Sequence, residues 1–533
     1  MPRLRIDHRD VEVPPGATIL DAARKLGIDV PTLCFLEGYR PSTSCLVCMV
    51  KLRGSNKLVP ACGTAAVEGM EVDSETDEVH QVRRTALELL LSDHLGDCLA
   101  PCHFTCPAHM DIPLMLRQIA RENLSEAIIT VKDSIALPAI LGRICPKPCE
   151  KGCRRAAADG AVAVCQLKRF VADADMASPE PYLPECHPAS GKRVAVVGAG
   201  PTGLSATYYL LRFGHAVTLF DDQPQPGGRL WRETTPESLP RDVLEAETRL
   251  ILRLGADYRP NTKIGQDPFL DDLRRQFDAV LLAFGSTDRE KAQQFGLKAA
   301  AHGLAVDRET FRTELPGVFA AGSAIRAKGL VVRSVGDGHE VAWSIHQHLS
   351  GLPVTGAPKP FSSRIGRLEE DEVQQFVTIA GQAPRQEPRE GQGFSSAEAS
   401  QQAARCLHCD CRALDTCKLR RYAALYRADP SRYKGGRKVL RLYTQRSQVL
   451  YEPGKCIDCG LCIEIAAAAG EPLGLSFIGR GFDVRIGVPF NRPFEEALGK
   501  VAAQCIAACP TAALSFKEEP RGSMAKRAWP RHP

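Results

Sequence analysis

Cysteine dominates the chemistry that this sequence could perform. The chain of 533 residues has 21 cysteines, too many to be incidental buried thiols. Thiolates at gaps of two or three residues are typical of zinc and iron-sulfur centres, whereas a disulfide framework would need an oxidising compartment. Cys186 stands alone, and the other cysteines form groups at positions 34/45/48/62, 98/102/106, 145/149/153/165, 406/409/411/417 and 456/459/462/505/509.

The first group follows a pattern of short strands and a helix. Residues 3–7 and 10–13 alternate as in a strand hairpin, and residues 18–26 have apolar side chains at helical spacing. One short cysteine pair with two isolated cysteines suits a small iron-sulfur cluster better than zinc, because structural zinc sites usually pair two short cysteine motifs. The four cysteines are Cys34, Cys45, Cys48 and Cys62.

The segment PPGATILDAARKLGIDVPTLCFLEGYRPSTSCLVCMVKL, followed by LVPACGT, carries a family resemblance. It resembles the N-terminal 2Fe-2S domain of the large iron-sulfur subunit of respiratory complex I, iron-only hydrogenases and NAD-linked formate dehydrogenases. The resemblance implies a β-grasp fold whose four cysteines hold a 2Fe-2S cluster.

Residues 92–175 form a predicted helical segment with cysteines at both ends. The sequence SDHLGDCLAPCHFTCPAHMDIP…ALPAILGRICPKPCEKGCRR resembles the N-terminal two-cluster domain of the glutamate synthase small subunit and of dihydropyrimidine dehydrogenase. That resemblance implies two 4Fe-4S clusters with interlocking ligands. One would take Cys98, Cys102 and Cys153, and the other Cys106, Cys145 and Cys149.

The fourth ligands are where this segment departs from those families. His94 stands where a cysteine is expected for the first cluster, and it is either a ligand or a surface or capping histidine. Cys165 lies near the place where relatives supply a non-cysteine ligand. We predict that Cys165 completes the second cluster, with a buried thiol as the alternative.

A dinucleotide-binding fold is predicted from residue 191 onward. In GKRVAVVGAGPTGLSATYYLLRFGHAVTLFDD, a buried strand runs into a glycine triplet and an amphipathic helix, and a second strand ends in an acid. Glycines at these places permit a tight turn, close approach to a pyrophosphate and packing of helix on strand, and the acid suits a ribose hydroxyl. These residues are Gly198, Gly200, Gly203 and Asp221.

Two downstream motifs resemble the second and third FAD-binding motifs of glutathione-reductase-like flavoproteins, as in the glutamate synthase small subunit. They are QPGGRL, with Gly227 and Gly228, and LPGVFAAGSAI, with Gly322 and Ser323. The resemblance implies FAD as the cofactor. The last motif usually reads Gly-Asp, so Ser323 replaces the acid that binds the ribityl chain.

The NADPH domain of that family is predicted to be missing. It would be inserted between DAVLLAFG and GVFAAG, but only residues 286–314 lie there. This segment has no Gly-x-Gly and about a quarter of the length that a nucleotide-binding fold needs. We therefore expect that this polypeptide alone does not oxidise a pyridine nucleotide.

The C-terminal third begins with a predicted extended connection, residues 353–400, which is rich in Pro, Gly and Gln. A basic module with four cysteines follows, and it suits a 4Fe-4S cluster or a structural zinc, with His408 as a bystander. Its cysteines are Cys406, Cys409, Cys411 and Cys417.

The sequence YEPGKCIDCGLCIEI…AAQCIAACPTAALSF resembles the two-cluster ferredoxin segment of complex I and hydrogenase subunits. It implies one 4Fe-4S cluster on Cys456, Cys459, Cys462 and Cys509. The second cluster of that family would need cysteines where Ala466, Gly499 and Ala502 stand, so only Cys505 is left of its ligands.

Charge and hydropathy exclude several classes of function. Residues 401–450 have 12 Lys and Arg against three Asp, but iron-sulfur clusters and acidic partners also call for positive surface, so we predict no nucleic-acid partner. No stretch of 18 apolar residues occurs and no export signal is recognisable, so we predict a cytoplasmic protein that does not insert into membranes.

We therefore predict a multidomain α/β and α+β oxidoreductase: an electron-transfer subunit that relays electrons between a partner module and another acceptor. The partner would be an NADH-oxidising flavoprotein or a formate dehydrogenase or hydrogenase module. The alternatives are a self-sufficient NAD(P)H-dependent enzyme and a scaffold with a vestigial flavin site. The predicted segments are 1–91 (2Fe-2S), 92–185 (helical 4Fe-4S), 191–352 (FAD), 353–400 (linker), 401–450 (four-cysteine module), 451–516 (4Fe-4S) and 517–533 (disordered tail).

Overall fold

The computed structural model describes residues 1–265, 269–327, 329–388, 392–443 and 448–517. These residues form two compact units, and each is interrupted in sequence by the other. The first unit consists of Met1–Ala100, Pro360–Ile379 and the described residues from His408 onward. The second unit consists of Pro101–Lys359 and the described part of Ala380–Leu407.

The strands are short. In chain order they are β1 (Arg3–Ile6), β2 (Arg9–Glu12), β3 (Met49–Leu52), β4 (Lys57–Pro60), β5 (Glu71–Asp73), β6 (Arg193–Val197), β7 (Ala216–Phe220), β8 (Asp257–Arg259), β9 (Ala279–Leu282), β10 (Ala299–Ala300), β11 (Gly303–Leu304), β12 (Val318–Ala320), β13 (Val449–Tyr451), β14 (Ser476–Ile478), β15 (Arg485–Gly487) and β16 (Leu514–Phe516).

Helices account for most of the remaining regular structure. The α-helices are α1 (Ile19–Lys25), α2 (Asp77–Ser92), α3 (Pro101–Thr105), α4 (Ile112–Ala120), α5 (Leu124–Lys132), α6 (Pro138–Ile144), α7 (Pro148–Lys151), α8 (Val164–Met176), α9 (Pro201–Arg212), α10 (Leu230–Glu233), α11 (Arg241–Leu252), α12 (Leu270–Gln276), α13 (Arg289–Gln294), α14 (Val331–Leu349), α15 (Glu370–Ala380), α16 (Ser396–Ala403), α17 (Lys418–Leu425), α18 (Leu461–Ala468), α19 (Phe494–Ala497) and α20 (Ala502–Ala508).

The N-terminal part of the first unit is a mixed five-stranded sheet with the order β2-β1-β5-β3-β4. The predicted strand hairpin is present as β1 and β2, and β1 also pairs with β5 in parallel. Helix α1 begins at Thr18, whose side chain accepts a hydrogen bond from the Asp21 backbone N–H, while the Asp21 carboxylate accepts one from the Thr18 backbone N–H. Ile19 and Leu20 of this helix pack into the core of the sheet, so the cysteine loop has a folded base of its own.

The C-terminal part of the first unit has a separate apolar core. Strands β13 and β16 pair antiparallel, as do β14 and β15, and helices α18 and α20 pack against each other. Tyr451, Ile465 and Leu514 are buried in this core. The core therefore fixes both ends of the last cysteine group, since Cys462 lies in α18 and Cys509 directly follows α20.

The second unit contains a parallel five-stranded sheet with the order β12-β9-β6-β7-β8. Its central strand β6 is buried from Val194 to Val197, as a parallel strand covered on both faces must be. Helix α9 follows directly, and its small residues Gly203 and Ser205 are buried against their neighbours. The sheet and its helices form a Rossmann-like fold, as the sequence predicts.

Helices α4 to α8 form the other part of the second unit. Helix α4 begins after Asp111, whose carboxylate accepts from the Leu114 backbone N–H. Helices α6 and α8 pack together, and Gly142 is required there because a Cβ would lie 2.8 Å from the backbone of Arg169. Helix α3 packs against α7 as well, so the two ends of the cysteine-rich segment meet.

The predicted linker at residues 353–400 differs from the structure. It contains helix α15 and most of helix α16, with residues 389–391 outside the described part. Val373, Phe376 and Val377 are buried along one face of α15, so three apolar residues at helical spacing outweigh the flanking Pro and Gly. The disordered tail predicted for residues 517–533 lies outside the described residues except for Lys517.

Residues 286–314 contain helix α13 and the small hairpin β10-β11. These residues are all described, and they form no second parallel sheet. Within the described ranges, the helices are either too short or too polar to cross a membrane.

Candidate functional site

The four cysteines predicted to hold a 2Fe-2S cluster converge in the first unit. All four are buried, and Sγ of Cys48 lies 3.3 Å from Sγ of Cys62. Hydrogen bonds with the thiols of Cys45 and Cys62 lower the pKa of Cys34 and raise the pKa of both partners. Because four thiolates at this spacing would repel one another, the group suits a cationic metal centre.

Hairpin β3-β4 positions this group. Cys48 directly precedes β3, and the Ala61 backbone N–H donates to the Cys48 carbonyl, which places Cys62 beside it. Between Cys34 and Cys48 the chain turns tightly through Thr43 and Leu46, both with positive φ. This loop brings Cys34 and Cys45 within hydrogen-bond reach of each other and Cys34 within reach of Cys62.

A second group of thiols lies among helices of the second unit. It includes Cys106 after α3, Cys145 and Cys149 around the start of α7, and Cys165 in α8. A hydrogen bond from the Cys165 thiol lowers the pKa of Cys145 to about 6. Burial raises the pKa of Cys149 to about 12, and the neighbouring thiolate of Cys106 adds to this rise.

Lys168 is a member of this site that sequence reasoning missed. It lies one turn after Cys165 and is 4% exposed. Burial lowers the pKa of Lys168, but the four thiolates, first that of Cys165, more than offset this and raise it. The sequence signal that could have revealed this residue is a lysine on the apolar face of α8, between Leu167 and Val171. Its ammonium gives the site a fixed positive charge.

The set predicted from His94, Cys98, Cys102 and Cys153 is divided between the two units. In the second unit, α3 with Cys102 packs against α7, which ends just before Cys153. In the first unit, desolvation of the His94 ring, with smaller effects of Lys455 and Lys434, lowers its pKa to about 3. His94 is therefore a neutral imidazole, the form that ligates metals.

The four-cysteine module is divided as well. Cys406 belongs to the second unit, whereas Cys409, Cys411 and Cys417 belong to the first. Cys417 caps the N-terminus of α17, where its Sγ accepts from the Arg420 backbone N–H at 3.4 Å. Over the described residues, no group of three or more His, Cys, Asp or Glu side chains has the arrangement that holds a single metal ion.

The last group lies at the ends of α18 and α20 in the first unit. Burial is the main cause that raises the pKa of Cys459 to about 12, and the thiolates of Cys509, Cys462 and Cys34 add to it. Cys505 is 1% exposed, and its thiol contacts the Cys462 carbonyl at 3.7 Å. Cys505 therefore contributes to the core beside this group.

The Rossmann-like fold has a cleft of about 540 Å³ at the C-terminal ends of its strands. Five of the eight residues predicted to bind FAD line it: Gly198, Gly200, Asp221, Gly228 and Ser323. The cleft also contains Arg229, Lys291 and Phe284, which the motifs did not reveal. Arg229 donates to the Ser323 hydroxyl at 3.3 Å, and the Lys291 ammonium lies 4.2 Å from the ring centre of Phe284.

The glycines of the cleft serve different purposes. Gly198 has φ +107°, and a Cβ there would lie 2.5 Å from the Ala283 carbonyl oxygen. A Cβ at Gly203 would overlap the Gly198 carbonyl, and one at Gly322 would overlap the Thr202 hydroxyl. A Cβ at Gly200 would instead meet no atom within 4 Å. Gly203 and Gly322 therefore serve packing, whereas Gly200 leaves room for a ligand.

Three family descriptions match parts of the chain. They are a 2Fe-2S iron-sulfur cluster binding domain over residues 2–77, dihydropyrimidine dehydrogenase domain II with a 4Fe-4S cluster over 91–179, and pyridine nucleotide-disulphide oxidoreductase over 152–338. Parts of the chain therefore match a 2Fe-2S domain, a helical 4Fe-4S domain and a Rossmann-like domain of the kind that binds FAD or NAD. These parts of the prediction are confirmed.

Several curated proteins are similar to part of the chain. The NADP(+)-dependent formate dehydrogenase subunit beta of Moorella thermoacetica is 39% identical over 35% of this chain and 29% of its own length. The NADPH-Fe(3+) oxidoreductase subunit beta of Geobacter sulfurreducens is 38% identical over 35% of this chain and 28% of its own. The glutamate synthase [NADPH] small chain of Bacillus subtilis is 32% identical over 44% of this chain and 48% of its own.

The chain thus spans between about a quarter and a half of the length of these relatives. Among solved structures, an NAD+-reducing [NiFe]-hydrogenase in the H2-reduced state is 29% identical over 17% of this chain and 39% of its own, with a TM-score of 0.17. A likeness this small has no bearing on the fold.

Proposed function

We propose that the chain is an electron-transfer subunit of a larger oxidoreductase, in which FAD, one 2Fe-2S cluster and two or more 4Fe-4S clusters relay electrons. The observation that supports this most is the closeness of different cysteine groups within the first unit. Cys34 and Cys459 are buried in one apolar cluster, and the Cys417 thiol contacts the carbonyl of Pro510, the residue after Cys509, at 3.6 Å. Centres bound by groups packed this closely can exchange electrons.

One apolar cluster connects these groups. Cys34, Cys45, Cys417 and Cys459 are all buried in it, together with aliphatic side chains such as Leu87. A dry environment keeps solvent away from reduced clusters and sets their potentials. Within this proposal, residues 1–91 are a β-grasp domain, 92–185 a two-cluster helical domain, 191–352 an FAD domain without an NADPH insert and 451–516 a one-cluster ferredoxin domain.

The cleft of the Rossmann-like fold fits FAD. The space over Gly200 leaves room for a pyrophosphate at the N-terminus of α9, where the free backbone N–H groups point. Asp221 accepts from the Ala199 and Gln223 backbone N–H groups and retains lone pairs for a ribose hydroxyl. When bound, FAD would supply the exchange between two-electron and one-electron chemistry.

Ser323 replaces the acid of the family motif with a neutral side chain. Its hydroxyl accepts from Arg229, so a guanidinium stands near the position where a carboxylate is usual. A positive charge beside a flavin stabilises its reduced, anionic form. We therefore infer that Arg229 and Ser323 orient the cofactor and raise its potential relative to a site with aspartate.

The proposed partners are other redox subunits: an NADH-oxidising flavoprotein, a formate dehydrogenase or a hydrogenase module. The name of the Moorella relative, a formate dehydrogenase subunit, supports this choice. We also propose a cytoplasmic location, because cysteine-bound iron-sulfur clusters suit a reducing compartment better than a disulfide framework does.

The second candidate is a self-sufficient NAD(P)H-dependent oxidoreductase. The names of the Geobacter and Bacillus relatives, both of which include NADPH, favour it. Against it stands the segment 286–314, where helix α13 and a two-strand hairpin occupy the position of the family's NADPH domain.

Anaerobic mixing of the purified chain with NADPH or NADH separates the candidates. We expect the flavin absorbance at 450 nm to persist with either nucleotide and to bleach with dithionite. Rapid bleaching by a nucleotide without a partner would refute the subunit proposal. Gly203→Val is the matched control, because a side chain there overlaps Gly198 and should abolish flavin binding while the 2Fe-2S signal remains. If the wild-type chain bound no flavin and dithionite reduced none of its clusters, the scaffold alternative would hold.

A further inference from the structure

Three distant segments of the first unit meet at Cys98. The Cys411 backbone N–H donates to the Cys98 carbonyl at 3.1 Å, and the Cys98 N–H donates to the Ser363 carbonyl at 3.3 Å. Sγ of Cys98 also lies 3.4 Å from the Ser363 hydroxyl oxygen. These backbone contacts fix Cys98 beside Cys411, although more than 300 residues separate them in sequence.

Three buried thiols face one another at this place. Cys98, Cys411 and Cys417 are 6%, 8% and 7% exposed. The charge of Cys98 acts on Cys411, and the charges of both other cysteines act on Cys417, so the three thiols lie within electrostatic reach of one another. Three thiolates buried together are costly unless a metal centre binds them.

The surroundings suit an anionic cluster. Cys417 stands at the N-terminus of α17, where the helix dipole and the Arg420 N–H stabilise negative charge. The ammonium of Lys455, 4% exposed, lies near Cys411 and is held by Glu452 at 2.7 Å. Hydrogen bonds and buried charge of this kind set the potential of a cluster.

His94 lies on the same side. A Cβ at Gly96 would lie 2.7 Å from His94 Nε2 and 3.0 Å from Cε of Lys455, so the imidazole lies beside the lysine that faces Cys411. His94 Nδ1 is shielded from solvent, and no atom of the described residues forms a hydrogen bond with it. An imidazole whose buried nitrogen has no hydrogen-bond partner among the described residues is available as a ligand.

We propose that Cys98, Cys411 and Cys417 bind one 4Fe-4S cluster in the first unit and that His94 completes its ligand set. This assignment separates Cys98 from Cys102 and Cys153 of the helical domain, and it replaces Cys406 in the four-cysteine module by Cys98. It also places the new cluster next to the Cys456 group, because the thiol of Cys417 contacts the Pro510 carbonyl at 3.6 Å, one residue beyond Cys509.

Single Cys→Ser variants of the full-length chain test the assignment. Iron and acid-labile sulfide are counted in anaerobically purified protein, and EPR spectra are recorded after dithionite reduction. We expect Cys98→Ser, Cys411→Ser and Cys417→Ser each to lose about four irons and the same EPR signal. Cys406→Ser is the matched control, and we expect it to retain that signal.

The pattern of losses decides the outcome. If Cys98→Ser removed a different signal from Cys411→Ser, or if Cys406→Ser removed the same signal as Cys411→Ser, the assignment would be wrong. The 2Fe-2S signal in every sample shows whether the first unit is folded. A variant that lost this signal would be remade as Cys→Ala at the same position. In addition, the non-ligand thiols of the wild type would be alkylated selectively, and the iron that it retains would be counted.

His94→Ala tests the fourth ligand. We expect a shift in the g values of the same signal and a shift in its midpoint potential, whereas His94→Cys should retain a full complement of iron. An unchanged spectrum in His94→Ala would exclude His94. None of these outcomes depends on the physiological partners, so the assignment can fail while the electron-transfer proposal stands.

Discussion

The four-thiol group of Cys34 in the first unit and that of Cys106 in the second offer the same ligands in opposite surroundings. The first rests on a sheet that has its own core of residues such as Ile6, Ile19 and Val50. The second lies between short helices, and a buried ammonium from Lys168 faces its thiols. A sheet and its loop thus position the first group, whereas short helices and a buried counter-charge surround the second, and we expect the fold of the second to depend more on its cluster.

The largest expected effect follows from removing one ligand of each group. Cys149→Ser should release its cluster and destabilise helices α6 to α8 by roughly 3 kcal/mol or more, because the thiols are central to their packing. Cys48→Ser should release the 2Fe-2S cluster while the sheet stays folded. Hydrogen exchange of individual peptides measures the stability of the surrounding elements in both variants. If both variants lost the same protection against exchange, the two groups would not differ in this way.

The two units should also respond differently to pH. Burial raises the pKa of Glu247 in the second unit to about 7, although the Ala139 and Ile140 backbone N–H groups donate to it. The folded state then binds more protons than the unfolded state between about pH 4.5 and 7, so stability should fall by about 3 kcal/mol as pH rises through this range.

The first unit should show the opposite sign. Burial of Glu372 acts to raise its pKa, but hydrogen bonds from Arg437 and the Leu440 N–H lower it to about 2. This carboxylate stabilises the fold above pH 4.5, and the contribution is lost as pH falls toward 2. Pulse proteolysis of each unit in urea at pH 3, pH 5 and pH 7.5 compares the two: the first unit should lose stability between pH 5 and pH 3, and the second between pH 5 and pH 7.5. Glu247→Gln should make the stability of the second unit depend less on pH. An unchanged pH dependence would show that it does not originate in Glu247.

A smaller effect is expected on redox potential. Lys168→Met removes a positive charge beside the Cys106 group, which should lower the potential of that cluster by on the order of 100 mV, since one charge at a few ångströms in a protein interior contributes about 2 kcal/mol. Lys168→Arg should retain most of the original potential. EPR-monitored titration measures the shift, and the 2Fe-2S potential serves as the internal reference.

The smallest effect concerns the sheet below the 2Fe-2S loop. Thr18→Ala removes the side-chain cap of α1 and should cost about 1 kcal/mol in the first unit. Cluster content should stay unchanged, because the cap lies outside the cysteine loop. Chemical denaturation, followed at one wavelength that reports the protein fold and at one that reports the cluster, checks this. Loss of the 2Fe-2S absorbance in native buffer would show that the cysteine loop depends on the helix.

Local spacing was enough to predict the strands and helices around groups whose residues are near in sequence. The hairpin and helix before Cys34 and the strand, turn and helix around Gly200 follow from periodicity and from positions where only glycine fits. The neighbourhood of Cys98 and Cys411 could not be predicted in this way, because it depends on backbone contacts between distant segments. Lys168 was missed because its role depends on which face of α8 is buried, and α15 because its few apolar residues stand within a Pro- and Gly-rich stretch.

The interrupted first unit has a consequence for the order of biosynthesis. The ribosome completes the loop from Cys34 to Cys62 early, so the 2Fe-2S group can be loaded while the rest of the chain is still being made. In the proposed assignment Cys98 waits for Cys411 and Cys417, which emerge only after the whole Rossmann-like fold has been synthesised. We therefore expect cluster insertion at that place late in synthesis, when the Rossmann-like fold of the second unit has already emerged.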